Sequence, residues 1–501
     1  MDSLPKKTPP RASLAIVGLF VLLSAQAFAS PIECIPPAET FGVGAGSRVH
    51  EKKLSLHEFK GLPIQPSGSP VLTKGTELNV LVDLGCMRDP KKGPRSLQWL
   101  KSLKKEVHQW AAWREQRSFQ WRLERDWDFL KLQETVEDEP CIDLVSPDGR
   151  FETFSRSGDP AVKEQSHLDW IGFADAMEAF KIPMLVRPQV SIAIIDTGVD
   201  FRHEDLRLNR WTNRQEVANN GIDDDRNGYI DDFDGYNFSS KSSNTGPEGD
   251  WPDNKHGTHV AGLAAGRFDN GVGGAGVDGL AKLMSLNVFG GNGITRSSIL
   301  ENAIRYAADQ RVDIINLSLG GREYSRTMRS VLSYAVRKGS FIIAASGNEG
   351  VEICDNPSSF DFVSPAVYGR GIDGMITIGS VDTFDSNFSL FSNYSVRLVE
   401  LSAPGAFTSQ GRLTGLLSST PKNTYGYLAG TSMAAPVVSG TAALVVTWLK
   451  AYGYSVSPAR VEAIMKNGAR NDGRMSSVVD QGRVLDLRAL ANYLRENYPR
   501  R

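Results

Sequence analysis

The sequence predicts an α/β fold of three layers, a mostly parallel sheet with helices on both faces, preceded by a small N-terminal α/β region. Three observations carry this. From about Asp159 onward, short apolar runs alternate with helical ones, the pattern of parallel strands joined by crossover helices. Several of those runs end in residues able to do chemistry, as expected where sites form at the carboxyl ends of parallel strands. The chain has 501 residues, 41% hydrophobic and 23% charged, which is enough for a large core and for more than one domain.

In chain order, Lys6, Lys7 and Arg11 precede an apolar stretch, Leu14 to Ala29, that closes on Ala27-Phe28-Ala29. This reads as a secretory signal peptide over residues 1–29, cut near Ala29, with the mature protein extracellular or periplasmic. A membrane anchor is the alternative, but the stretch is short for a span. Apart from the run after Ser432, no later segment approaches membrane-spanning character. The formal net charge of −2 removes any global electrostatic case for nucleic acid as a partner.

Residues 30–75 are rich in Pro and Gly. Residues 76–155 read as a small α/β unit. Leu78 to Leu84 is a strand, and Ser96 to Thr135 is a long helical stretch, with Leu100, Leu103, Val107 and Trp110 on one face and Leu123, Trp127 and Leu130 on another. Such a basic, Trp-rich helix suits a membrane surface or RNA, or simply packing with a solvated face; packing is the plainer reading. Cys141 to Val145, a Pro147-Asp148-Gly149 turn and Phe151 to Phe154 read as a hairpin. Residues 30–157 thus form one N-terminal region, and 158–498 the main domain.

In the main domain the expected strands are Val190 to Ile195, Leu283 to Val288, Val312 to Leu317, Phe341 to Ala345 and Met375 to Val381. The expected helices include Ser297 to Gln310 and Arg326 to Lys338. Three blocks carry chemistry. The first strand ends in Asp196-Thr197-Gly198, a buried strand delivering a carboxylate able to orient a histidine. His256-Gly257-Thr258-His259 supplies a base; its two histidines lack the spacing and intervening carboxylate of a zinc protease helix. Gly430-Thr431-Ser432-Met433-Ala434-Ala435-Pro436 puts a serine at the start of an apolar helical run, beside unpaired N–H groups at the positive end of the helix. Between the second and third, Asn348 follows the strand Phe341 to Ala345 and can donate an amide N–H to an oxyanion.

Together these blocks, in the order Asp…His…Ser, resemble the subtilisin-like serine proteases, or subtilases, over about residues 159 to 495. The resemblance implies a subtilisin-like fold and a serine endopeptidase. It makes Asp196 the catalytic Asp, His256 the general base, Asn348 the oxyanion-hole amide and Ser432 the nucleophile. Ser318, Leu319, Gly320 and Gly321, with Ala344, Ala345, Ser346 and Gly347, would line the substrate cleft. The expected partners are protein or peptide substrates, with no nucleic acid and no stable membrane span, in a monomer.

Calcium is the expected cofactor, in a structural role. Asp223, Asp225, Asn227, Tyr229 (through its carbonyl), Asp231 and Asp234 have the spacing of a twelve-position calcium loop, with Gly228 at the sharp turn. The family resemblance alone implies a second calcium site at Gln165, Asp205, Asn270, Val272 and Gly274. It also implies that residues 30–157 are a propeptide that assists folding and then inhibits, released near Phe154 to Gly158. Of the four cysteines, Cys34, Cys86 and Cys141 precede that junction and Cys354 follows it. They suit an oxidising compartment, and three connectivities are open. If all four pair within the chain, one bridge crosses the junction.

Overall fold

A computed structural model of the chain describes residues 158–182, 187–409 and 412–500, together with the backbone of seven strand segments between 51 and 147. All of these belong to one compact unit, residues 37–501.

The centre is a nine-stranded sheet in the order Arg470–Asn471, Arg483–Val484, Leu401–Ala406, Met375–Asp382, Phe341–Ala345, Ile314–Leu317, Ser191–Asp196, Lys282–Asn287 and Gly235–Asn237. All neighbours pair parallel except the first two, which pair antiparallel. The strand Ser191–Asp196 shows why both faces are covered. Ile192 and Ile194 belong to one apolar cluster, while Ala193 and Ile195 belong to the other, because successive side chains of a strand point to opposite faces. The first cluster holds the helices His256–Ala265 and Thr431–Ala451. The second holds Ser297–Asp309 and Arg326–Lys338. The three-layer α/β fold is therefore present, with the expected strands and helices shifted by at most two residues at their ends.

Local chemistry sets the helix limits. Arg326–Lys338 starts after Ser325, whose hydroxyl accepts from the Met328 N–H, and stops at Gly339 with φ +110°, the left-handed cap that glycine adopts most cheaply. Thr431–Ala451 is the single helix among the described residues long and apolar enough to cross a membrane, and it lies inside the protein, 94% of its apolar window buried.

The N-terminal region departs from expectation. Val107–Trp113 and Ser118–Leu123 are strands, not one long helix. They lie in a four-stranded antiparallel sheet in the order Val107–Trp113, Ser118–Leu123, Glu77–Val82, Ile142–Pro147. The segment Ser118-Phe119-Gln120-Trp121-Arg122-Leu123 also carries a two-residue alternation of apolar and polar side chains. Short runs satisfy both periods, and aromatic enrichment favours the strand. The helical premise for a membrane or RNA surface thereby goes. Ile142–Pro147 pairs with Glu77–Val82; the expected second arm, Phe151 to Phe154, lies outside the described residues, as do the expected signal peptide and the cleavage junction up to Ser157.

Candidate active site and cation sites

Asp196 is the last residue of its strand and is fully buried. Its Oδ1 accepts from the Thr197 N–H at 2.7 Å and from His256 Nδ1–H at 2.8 Å, while its Oδ2 meets no protein donor. His256 opens the helix His256–Ala265. The Thr197 hydroxyl accepts from the Gly257 N–H at 2.9 Å, so the residue after Asp196 holds the helix end that carries His256. The two elements come so close that a Cβ at Gly257 would lie 2.5 Å from the Gly198 carbonyl and 3.1 Å from Asp196 Cβ. Burial pulls the His256 imidazole down. The charge and hydrogen bond of Asp196, with the charge of Asp253, outweigh it and leave the pKa above the ordinary 6.5.

His259 takes no part in this. It is fully buried, its Nε2 lies 3.0 Å from the Leu416 carbonyl and 3.1 Å from that of Gly426, and burial pushes its pKa down to about 3. It ties the helix to the hairpin Leu416–Thr420 and Thr424–Leu428.

Ser432 is the second residue of the helix Thr431–Ala451. Four residues later, Pro436 has no N–H, so the Ser432 carbonyl loses its intrahelical donor. The Ser318 hydroxyl supplies one instead, at 2.9 Å, and the Ser432 hydroxyl donates to the Ser318 carbonyl at 3.1 Å. Asn316 Nδ2 in turn holds Ser318 Oγ at 2.9 Å. The nucleophile candidate and the first cleft segment are thus fastened together. Gly321 exchanges two backbone hydrogen bonds with Ser364, 2.9 and 2.8 Å, which fixes the far end of Ser318–Gly321.

Ala344 and Ala345 close the buried strand, and the chain then emerges through Ser346 and Gly347 to an exposed Asn348. The side-chain oxygen of Asn348 accepts from the Thr431 N–H at 2.8 Å and the Thr431 hydroxyl at 3.0 Å. Its amide nitrogen lies beside Gly430, where a Cβ would come within 3.3 Å of it.

The sequence model described as "Subtilase family" matches residues 187–483. The chain belongs to the subtilase family. The subtilase is 35% identical to the major intracellular serine protease of Bacillus subtilis (strain 168) over 58% of its own length and 80% of that protein. It is 31% identical to thermitase of Thermoactinomyces vulgaris over 60% of its length and 88% of that protein. Subtilisin-like protease 1 of Plasmodium berghei and the thermophilic serine proteinase of Bacillus sp. (strain AK1) match at 32% and 34% identity over 51% of this chain; the subtilase spans only 42% and 52% of their lengths. Among solved structures, a protease from Pseudoalteromonas arctica PAMC 21717 superposes with TM-score 0.51 and 25% identity, over 68% of this chain and 99% of that one.

The acidic loop gathers only part of its expected donor set. Asp223 accepts from the N–H groups of Asn227 and Gly228, and Asp231 from those of Asn220 and Gly221; these carboxylates hold the turn. Tyr229 stacks edge-on against Tyr236, Phe238 and Tyr306. Asp234 accepts from Thr245 and faces Arg210. Asp225 instead meets two acids outside the expected set, Glu216 and Asp232, with one oxygen from each of the three within 4.8 Å of the others. Asn213 and Asn227 donate to both Asp225 and Asp232. Glu216 Oε2 is buried with no hydrogen-bond partner. Burial, with the charges of neighbouring acids, holds Glu216 and Asp232 above the usual carboxylate range. A hard divalent cation fits this set of oxygens. Glu216 escapes the loop spacing because it lies seven residues before that spacing begins; the doublet Asp231-Asp232 is a legible choice between two neighbours.

At the second expected site, Asp205 Oδ1 accepts from Asn270 Nδ2, and Oδ2 accepts from the Gly274 N–H and the Tyr425 hydroxyl. Val272 donates to Asn270 Oδ1. Gln165 lines one small cavity with Asp205 and Gly274, its amide bonded to Ala275 and Leu417. Asp159, absent from the expected set, receives the N–H groups of Asp269, Asn270 and Gly271. Burial, with the charge of Asp159 adding to it, holds Asp205 well above the usual range.

Proposed function

We propose that this subtilase is a secreted serine endopeptidase, made as a precursor and stabilised by calcium. The contact between Asp196 and His256, 2.8 Å at the carboxyl end of a buried strand, carries the catalytic reading. Asp196 fixes the imidazole with its proton on Nδ1, leaving Nε2 as the base. Ser432 has one hydroxyl proton, held by the Ser318 carbonyl, so attack begins when that proton passes to His256. Oγ then bonds to the peptide carbonyl carbon. The oxyanion is received by Asn348 and the Ser432 N–H, and His256 returns the proton to the leaving amine. Water, deprotonated by His256, hydrolyses the acyl-enzyme. Since His256 acts as the neutral base and its pKa is raised, casein hydrolysis should climb with pH along a limb centred above 6.5. A flat profile from about pH 5 to 9 would contradict a histidine base.

Calcium would be held by Glu216, Asp225 and Asp232, and at the second site by Gln165, Asp205 and Asn270 with the carbonyls of Val272 and Gly274. Its contribution is to stability: binding the folded state alone adds about 2.7 kcal/mol when free ion is a hundredfold above its dissociation constant. Chelation should therefore lower the melting temperature, and Glu216→Gln should shrink that drop. An unchanged melting point in chelator would rule out both sites.

Secretion rests on the basic, apolar and A-x-A pattern of residues 6–29. For the precursor, the supporting observations are two. The strand Glu51–Lys52 pairs antiparallel with Tyr425 and Gly426, a few residues before Ser432. Cys354 is disulfide-bonded and is the sole cysteine after residue 157. A bridge within the chain must then reach Cys34, Cys86 or Cys141, and cutting near residue 157 leaves the N-terminal piece attached. Processed protein should run as one band without reductant and as two with it; two bands without reductant would refute the tether.

A further inference from the structure

Asn393 lies in a segment for which the catalytic reading has no use, yet its side chain is fully buried against the loop that carries Asn348. Its Oδ1 accepts from the N–H groups of Glu349 and Val351, both at 3.1 Å. Its Nδ2 donates to the Ser346 carbonyl at 3.1 Å and to Glu349 Oε2 at 2.6 Å. Its backbone N–H donates to the Gly347 carbonyl at 3.0 Å, and its carbonyl accepts from Ser346 Oγ at 2.9 Å. Both residues before Asn348 and the one after it are thus bound to residue 393. The fit also fixes the identity of Gly347: φ is +105°, and a Cβ there would lie 2.4 Å from Asn393 Nδ2.

Asn348 itself is exposed on the turn. Its side-chain oxygen is held by Thr431, but its Cα is held only by the path of the loop. An oxyanion donor must lie within a few tenths of an ångström of its working position, and misplacement by about 1 Å costs on the order of a hundredfold in rate. A turn of exposed residues does not provide that precision unless something rigid supports it. Asn393 is that support: it uses both ends of a carboxamide, which neither an acid nor an aliphatic side chain can reproduce. We propose that Asn393 is a positioning residue for the oxyanion hole, acting through the Ser346–Val351 loop on Asn348, with Glu349 as its partner on the exposed side.

The proposal rests on Asn348 being the oxyanion donor of a serine peptidase; that reading fails separately, if Ser432→Ala retains hydrolysis. The test uses the processed enzyme and a chromogenic peptide substrate. Asn393→Asp keeps the shape but sets oxygen against the Ser346 carbonyl and Glu349 Oε2. It should lower kcat by about 10- to 100-fold, with KM within about twofold, because the oxyanion forms only along the reaction path. Adding Glu349→Gln, whose amide can donate to the new carboxylate, should recover about tenfold of that loss. In an Asn348→Ala background, Asn393→Asp should cost less than about threefold further. If Asn393→Asp does not fold, Glu349→Ala, an exposed truncation, should lower kcat several-fold at constant KM, and not at all once Asn348 is Ala. An unchanged kcat in a folded variant, a loss that adds in full to that of Asn348→Ala, or no recovery with Glu349→Gln would each overturn the proposal.

Discussion

Ser432→Ala should reduce casein hydrolysis by about 10⁶-fold, the loss that the corresponding change causes in subtilisin, a member of the same family. The hydroxyl bonded to Ser432, that of Ser318, is poorly placed to substitute: it donates to the Ser432 carbonyl left free by Pro436, and its own position is fixed by Asn316. The fold should tolerate the change. The variant loses one hydrogen bond, from Ser432 Oγ to the Ser318 carbonyl, worth about 1 kcal/mol, and alanine is a favourable helix residue. A loss of activity accompanied by a native melting temperature is the expected result. Retained hydrolysis would mean that another residue attacks.

Asp196→Asn should lower turnover by about 10⁴-fold, the size found for removal of the triad carboxylate in other Ser-His-Asp hydrolases, subtilisin among them. Oδ1 of Asp196 accepts two hydrogen bonds at once, from Thr197 N–H and His256 Nδ1–H. With its oxygen at that position, an asparagine leaves an NH2 at the Oδ2 site, which is buried and where Asp196 itself has no protein hydrogen-bond partner. With the amide flipped, two donors confront the NH2, and the imidazole must change tautomer and surrender its base at Nε2. Either way the negative charge is gone. That charge raises the His256 pKa against the pull of burial, so the acid limb of the residual activity should move to lower pH than in the parent. A limb that stays in place would show that Asp196 does not govern the titration of His256.

The sequence shows the catalytic region more clearly than its supports, for a physical reason. Asp196, His256 and Ser432 sit at element ends, where strand periodicity, helix starts and chain order make short motifs readable. The five main-sheet strands that sequence predicts are largely buried apolar runs, and they lie within two residues of their expected positions; the shorter edge strands, such as the exposed Arg470–Asn471, carry no such run. Residues 107–123 are ambiguous in sequence because a few apolar side chains satisfy the helical and the strand period alike, and pairing with Glu77–Val82 decides between them. Glu216 and Asp232 join Asp225 only once the loop has folded back on itself; no local spacing encodes that. Asn393 is 45 residues from Asn348, and nothing in its neighbourhood announces which loop it will hold.

The central claim is that Asp196, His256 and Ser432 act as one unit. It is tested most directly by reacting the processed enzyme with a fluorophosphonate and mapping the adduct by mass spectrometry. One adduct, on Ser432, should form, at a rate that rises along the same acid limb as hydrolysis and falls in Asp196→Asn by a comparable factor. An adduct on a different serine, or peptide hydrolysis that persists after Ser432 is fully labelled, would contradict the account.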